Sequence, residues 1–214
     1  MKQKLFKITG DNTKTLRLFV FLILLSFSGK AQTLSNLEIF YSLVDSASHQ
    51  TADEILKLVP ETALTTELGI YYTVFENQIF SGLSSRGLKV KRGAGITNDI
   101  PNLNILISNA EVKYGEQKRD GFLGAFIVTR ELLLQGSYLL TSNEDVSLTK
   151  MNEFSFSYSD QIKVEEIEKI ENRSFPFTSG ILPQEPFFSS ILEPVIAVSA
   201  AAIAVFLFFS VRSK

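Results

Sequence analysis

The side chains best placed to do chemistry are four cations in one short stretch, Arg86, Lys89, Lys91 and Arg92. Lys89 and Lys91 are two residues apart and share one face of an extended strand, while Arg86 arrives from the end of a preceding helix. Gly93-Ala94-Gly95 follow directly and could turn backbone N–H groups toward an anion or an acidic partner segment. This is not a phosphate loop, because the order Gly-x-x-x-x-Gly-Lys-Ser/Thr is absent. The plainer alternative is an edge strand kept soluble by its lysines.

Other reaction chemistries find fewer parts. The chain has no cysteine, which removes thiol catalysis, disulfides, cysteine metal sites and a lipid-carrying N-terminus. His49 is the only histidine and lies in the polar stretch Ser48-His49-Gln50-Thr51, which reads as a solvated loop. Glu165, Glu166, Glu168 and Glu171 form the densest carboxylate group, but around Ile167 and Ile170 they read as the wet face of an amphipathic helix. Glu144 and Asp145 lack the companions that a calcium loop needs at its first, third and fifth positions. No catalytic residue, metal or cofactor is therefore expected.

Charge narrows the partners. Between the two ends of the chain, residues 32–211 carry 22 acidic and 13 basic side chains, a net charge of about −9. Nucleic acid and anionic lipid surfaces repel such a domain at long range.

The ends read as membrane signals. The apolar run that begins with Leu18–Leu25 follows a basic region and is short, about 10 residues or roughly 15 Å as a helix against the about 30 Å of a bilayer core. Gly29 and Ala31 supply the small residues that a signal peptidase requires, so residues 1–31 are expected to be an export signal cut after Ala31 or Gln32, with an uncleaved anchor as the alternative. Near the other end, residues 194–211 contain no charge and extend roughly 27 Å as a helix, enough to span. Glu193 precedes this segment and Arg212 and Lys214 follow it, which places residues 212–214 in the cytoplasm. Pro194 suits the first helical turn. Ala197, Ala200, Ala201 and Ala204 recur on one face at small-xxx-small spacing, a candidate helix–helix contact through which the chain could form a homo-oligomer.

Between the ends, residues 32–175 are expected to form one exported α+β domain. Leu37, Phe40, Tyr41 and Val44 mark a helix of about three turns, and Thr51-Ala52-Asp53-Glu54 reads as a capping box opening a short second helix through Leu58. The clearest helix runs from about Leu68 to Arg86, with Gly87 as its stop and Leu88–Lys91 as a strand after it. The period then changes to two. Leu103, Ile105 and Ile107 point one way, Phe122–Leu134 and Ser137–Leu140 are expected to be extended and paired, and Phe154, Phe156 and Tyr158 alternate with serines. Val164, Ile167 and Ile170 make a short closing helix. The whole is helices first, then a mostly antiparallel sheet with one closing helix, plus a single C-terminal transmembrane helix. Pro176, Pro183 and Pro186 make residues 176–193 a stiff stalk, with Phe187 and Phe188 at the membrane interface.

The helix–Gly–strand unit of Val74, Phe75, Ile79, Leu83, Gly87, Leu88 and Val90 resembles one in small bacterial envelope accessory domains of the curli-assembly and penicillin-binding-protein-activator type. The resemblance covers about 20 residues and implies an envelope accessory role; those families are usually lipoproteins, which this cysteine-free chain departs from. The expected protein is thus a single-pass protein of a bacterial inner membrane, its domain in the periplasm, binding an envelope protein partner. A carboxylate-dependent envelope hydrolase would instead show two acidic residues about 5–10 Å apart in one pocket. A small-ligand sensor acting through a partner helix is the third possibility.

Overall fold

The computed structural model describes residues 33–92, 100–121, 124–142, 149–184 and 187–212, with side chains of the last helix described from 194 to 210. The expected export signal over residues 1–31, Gly93-Ala94-Gly95 and the turn expected at Glu144 and Asp145 lie outside the described residues, as do the side chains of Phe187 and Phe188.

Helix α1 runs without a break from Asn36 to Ile55. Its start is a capping box one element earlier than expected: the Glu38 backbone N–H donates to Ser35 Oγ, and the Ser35 backbone N–H donates to the Glu38 carboxylate at 2.7 Å. The capping box expected at Thr51–Glu54 opens no second helix, because Thr51 is buried inside the same helix. Ile39, Phe40, Leu43, Val44, Ala47, Ser48, Thr51, Ala52 and Ile55 are one uninterrupted buried stripe. His49 therefore stands on this helix and not in a loop, with Nε2 3.0 Å from Ser85 Oγ.

Strand β1, Glu61–Glu67, follows and was not foreseen from the sequence. The expected long helix from Leu68 to Arg86 shortens to a 3-10 turn, Thr73–Phe75, and helix α2, Glu76–Ser85. Gly87 stops it with a φ of 91°, the left-handed value that a side chain disfavours. Strands β2 (Lys89–Arg92), β3 (Asn102–Tyr114), β4 (Lys118–Arg119), β5 (Phe126–Thr141) and β6 (Lys150–Lys163) complete one six-stranded sheet.

The sheet is mixed. β1 lies parallel between β2 and β3, and β5 pairs antiparallel with β3, β4 and β6. The two segments expected to pair with each other, Phe122–Leu134 and Ser137–Leu140, are instead one long strand in their described part. Gly136 is what lets β5 continue: a Cβ there would run into the Leu106 carbonyl and the Phe154 ring. It faces the irregularity between Ile107 and Asn109, where inward-pointing residues of β3 switch from Leu103, Ile105 and Ile107 to Ala110, Val112 and Tyr114.

One face of the sheet is covered by α1 and α2. Leu103, Ile105, Val128, Leu132, Leu134, Leu140 and Phe154 meet Phe40, Val44, Ile55, Ile79 and Leu83 there in a single core. After β6 come a 3-10 turn, Val164–Glu166, and the short helix α3, Ile167–Ile170. The stalk expected from residue 176 does not begin there. Pro176–Thr178 form a 3-10 turn, and Phe177 packs edge-on against Phe40 with ring centroids 5.3 Å apart. Burying that aromatic ring in the core is worth more than extending it into water.

Helix α4 runs from Phe187 to Arg212, so Pro194 lies inside it and not in its first turn. Its apolar side chains are exposed, Phe206 at 71 % and Phe209 at 65 %. Among the described residues no helix is long and apolar enough to cross a membrane.

Candidate functional site

The sheet divides the domain's polar side chains into two groups. On the covered face the largest wholly buried side chain is Arg130, an inward position of β5 between Val128 and Leu132. Its guanidinium forks onto Asp160 of β6, Nε donating to Oδ1 at 2.8 Å and Nη2 to Oδ2 at 2.5 Å. Nη1 donates to the Leu34 carbonyl at 2.9 Å and to Asn36 Oδ1 at 2.8 Å. Asn36 in turn donates to Tyr114 Oη and to the Thr178 carbonyl, and Tyr114 donates to Glu171 Oε1 at 3.0 Å. Burial pushes the Tyr114 hydroxyl up to about 12, with the Glu171 charge adding to it. Burial, with Asp160 beside it, also raises Tyr158. These donors are spent on protein acceptors, so the cluster ties the start of α1 and the segment 171–178 to the sheet. It holds structure; it does not present a reactive group.

A second cluster closes the other end of α1. Glu54 accepts from Tyr138 Oη, from Asn152 at 2.7 Å and from Lys150 at 3.1 Å. The Tyr138 hydroxyl, followed by Lys150, holds the Glu54 carboxyl down at about 2. Desolvation and Glu54 itself raise Tyr138.

Among the described residues no helix covers the opposite face. It displays Asn102, Asn104, Asn109, Gln135, Ser137, Ser155, Ser157 and Gln161, with Leu106, Leu133, Leu139 and Met151 among them. Leu106 is 39 % exposed and Met151 64 %. Toward one end the face is hollowed by a concavity of about 290 Å³, lined by Glu111, Lys113, Glu131, Leu133, Ser157 and Ser159 among others. Lys113 Nζ stands 2.7 Å from Glu111 Oε1, and Glu131 lies opposite Lys113 in the register. Glu111 and Glu131 thus border the same hollow.

The cations singled out in the sequence do lie together around β2, at one edge of the sheet, but their partners differ. Lys91 pairs with Glu61 at 2.7 Å, Arg86 with Asp53 at 4.0 Å, and Arg92 donates to Asn77 and lies 3.8 Å over the Phe80 ring. Lys89 is exposed. The acidic group after β6 is only partly a wet face: Glu168 pairs with Arg173 in solvent, while Glu171 turns inward to Tyr114 and the Gly180 N–H. Ala197, Ala200, Ala201 and Ala204 are all exposed on α4. Among the described residues no group of three or more histidines, aspartates or glutamates could hold a metal ion.

The sequence had one unused signal for the Arg130 cluster. Period two in Val128-x-Arg130-x-Leu132 puts the arginine inside, which demands a buried carboxylate or carbonyl partner.

The chain matches no protein-family model and no curated protein sequence. Solved structures similar to parts of it include a minor lipoprotein from Acinetobacter baumannii (15 % identity, 50 % of this chain and 76 % of that one, TM-score 0.32). Others are rare lipoprotein B from Shewanella oneidensis (11 %, 67 % and 99 %, TM-score 0.31) and a neuraminyllactose-binding hemagglutinin homolog from Helicobacter pylori (16 %, 54 % and 78 %, TM-score 0.31). No residue role passes from those proteins to this one.

Proposed function

We propose that the chain is a membrane-tethered envelope accessory protein whose exported domain binds another protein through the open face of its sheet. The observation that carries this reading is the unequal treatment of the two faces. One is sealed by α1 and α2, and the other leaves Leu106 and Met151 exposed among polar side chains, with the carboxylates Glu67 opposite Leu106 and Glu153 next to Met151 on its own strand face. A partner that meets Glu67 and Glu153 with basic side chains could cover such a face, its apolar contacts centred on Leu106 and Met151. The tether is itself part of the proposal: α4 does not meet the measure of a spanning helix over its described residues, but its 26 residues carry charges only at Glu193 and Arg212 and expose Phe206–Phe209, which suits contact with a membrane. Held near a membrane, even modest contacts suffice, because tethering raises effective concentration.

Affinity capture of the membrane-extracted chain, with the mass of its N-terminus, tests this. A new N-terminus at Gln32 or Thr33 and one recurrent envelope partner, lost in Leu106→Asp, are the expected results. A chain still beginning at Met1 and recovered from the soluble fraction overturns the tether. A partner unaffected by Leu106→Asp overturns the face.

One observation favours the hydrolase as a second reading: Glu111 and Glu131 border the same hollow on diagonal register positions, about 7–8 Å between backbones. Against it stands Lys113, which already occupies Glu111, whereas the acid of such a pair works from an apolar pocket. Release of soluble fragments from envelope glycan by the intact chain, abolished in Glu131→Gln, would establish it.

A further inference from the structure

The sheet's two edges are protected to very different degrees. β2 is four residues long and three of them are basic, which deters pairing with another strand. β6 pairs with β5 without a break from Lys150 to Lys163, and its sequence contains no proline and no glycine. Among the described residues no strand lies on its other side. Its central stretch, Phe154-Ser155-Phe156-Ser157-Tyr158-Ser159, is uncharged and high in β-propensity. Its inward-facing Phe156 and Tyr158 are only half-buried.

We propose that β6 is a dimerisation edge, at which a second copy of this chain adds its own β6 antiparallel about a two-fold axis at Tyr158. Charge complementarity supports this occupant and register, and the Asp160 carboxylate that a register centred on Ser155 would set against Lys150 is already held by Arg130. With Tyr158 opposite itself, Glu153 faces Lys163 of the second copy, and the two-fold repeats that pair at the other end. On the inward row Phe154 meets Ile162, and Phe156 covers the exposed side of Asp160, which is bound to Arg130. On the open row Ser155 meets Gln161 and Ser157 meets Ser159. Moving the axis to Ser157 puts Glu153 against Gln161 and Lys163 against Met151. Moving it to Ser159 sets Glu153 against Glu165. Only the Tyr158 register among these three matches charge with charge.

Such a dimer is a continuous sheet of twelve strands, twice the six of one copy, and the perpendicular axis keeps both helix layers on one side. Both open faces then lie side by side. The inference does not depend on what those faces bind.

The absence of cysteine makes the test clean. Full-length Ser157→Cys and Ser159→Cys chains are mixed in detergent and oxidised. In the proposed register the two thiols are directly opposite, about 4.5–5.5 Å between backbones and within disulfide reach, whereas like positions are diagonal at about 7–8 Å. The expected result is a mixed disulfide in large excess over either homodimer. Glu153→Lys and Lys163→Glu should each weaken the dimer roughly tenfold by sedimentation, and the double exchange should restore it. Thermal melts of each variant separate loss of pairing from loss of folding. A monomeric chain overturns the proposal, as does preferential disulfide between like positions. So does a dimer indifferent to both charge reversals, which would assign association to α4, and so does cross-linking of β6 to another protein alone.

Discussion

Polar side chains on the two faces of the sheet have opposite fates. Under α1 and α2, Arg130, Asn36, Tyr114 and Thr178 are locked into one another across as many as 142 residues of sequence. On the uncovered face, contacts such as Asn109 with Gln135 or Lys113 with Glu111 join neighbours on adjacent or the same strand and tie no distant segments together. The covered face therefore carries the cost of burying charge and must be complete, while the uncovered face is free to vary and to bind. Substitutions should separate accordingly, stability responding on one side and recognition on the other.

The largest effect is expected at Arg130. Arg130→Ala leaves the part-buried Asp160 carboxylate, the Leu34 carbonyl and buried Asn36 without their donor, and should cost about 3 kcal/mol in denaturant unfolding. Replacing both partners, Arg130→Met with Asp160→Leu, should recover much of that loss, because the cost comes from the orphaned charge. If the double variant is as unstable as the single, packing and not charge is what Arg130 supplies.

Gly136→Val comes next. The added side chain meets the Leu106 carbonyl and the Phe154 ring, so β5 must shift where β3 changes its inward set, at about 1–3 kcal/mol. The thermal midpoint is the readout.

Glu54 gives the comparison a pH dependence. Its carboxyl is lowered in the folded state from 4.5 to about 2, so its contribution is fully present above pH 4.5 and lost as pH falls toward 2. Glu54→Gln should flatten the acid limb of stability in that window, by an amount on the order of 1–2 kcal/mol after allowing for solvent. Stability at pH 7 and at pH 3, measured for both chains, checks it.

The smallest stability effect belongs to the open face. Leu139→Ser and Met151→Thr should change unfolding free energy by no more than about 0.5 kcal/mol. Partner capture should nevertheless fall severalfold in each.

How much of this was readable from the sequence follows the same division. The alternation Leu103, Ile105, Ile107 and the run Phe154 to Tyr158 announced their strands, because a sheet sealed on one face writes itself with period two. The α+β class followed from that. β1 was illegible: Glu-Thr-Ala-Leu-Thr-Thr-Glu has no apolar alternation, and only its parallel partners on both sides make it a strand. The continuity of α1 was hidden by Asp45–Gln50, whose polar letters conceal that Ala47 and Ser48 face inward. Phe177 looked like a stalk residue because nothing nearby in sequence shows the gap between Phe40, Tyr72 and Phe75 that it fills. Of the candidate site, the basic stretch was visible by composition. The open face was not, since a surface of asparagine and serine differs from a loop only once its strands are in register.

The central claim is that the uncovered face is the recognition surface. A photo-cross-linking residue placed at Leu106 on that face, and in parallel at exposed Glu76 on the helix layer, tests it in native membranes. The account predicts one discrete heterologous adduct from position 106 and none from position 76. The same adduct from both positions, or from position 76 alone, contradicts it.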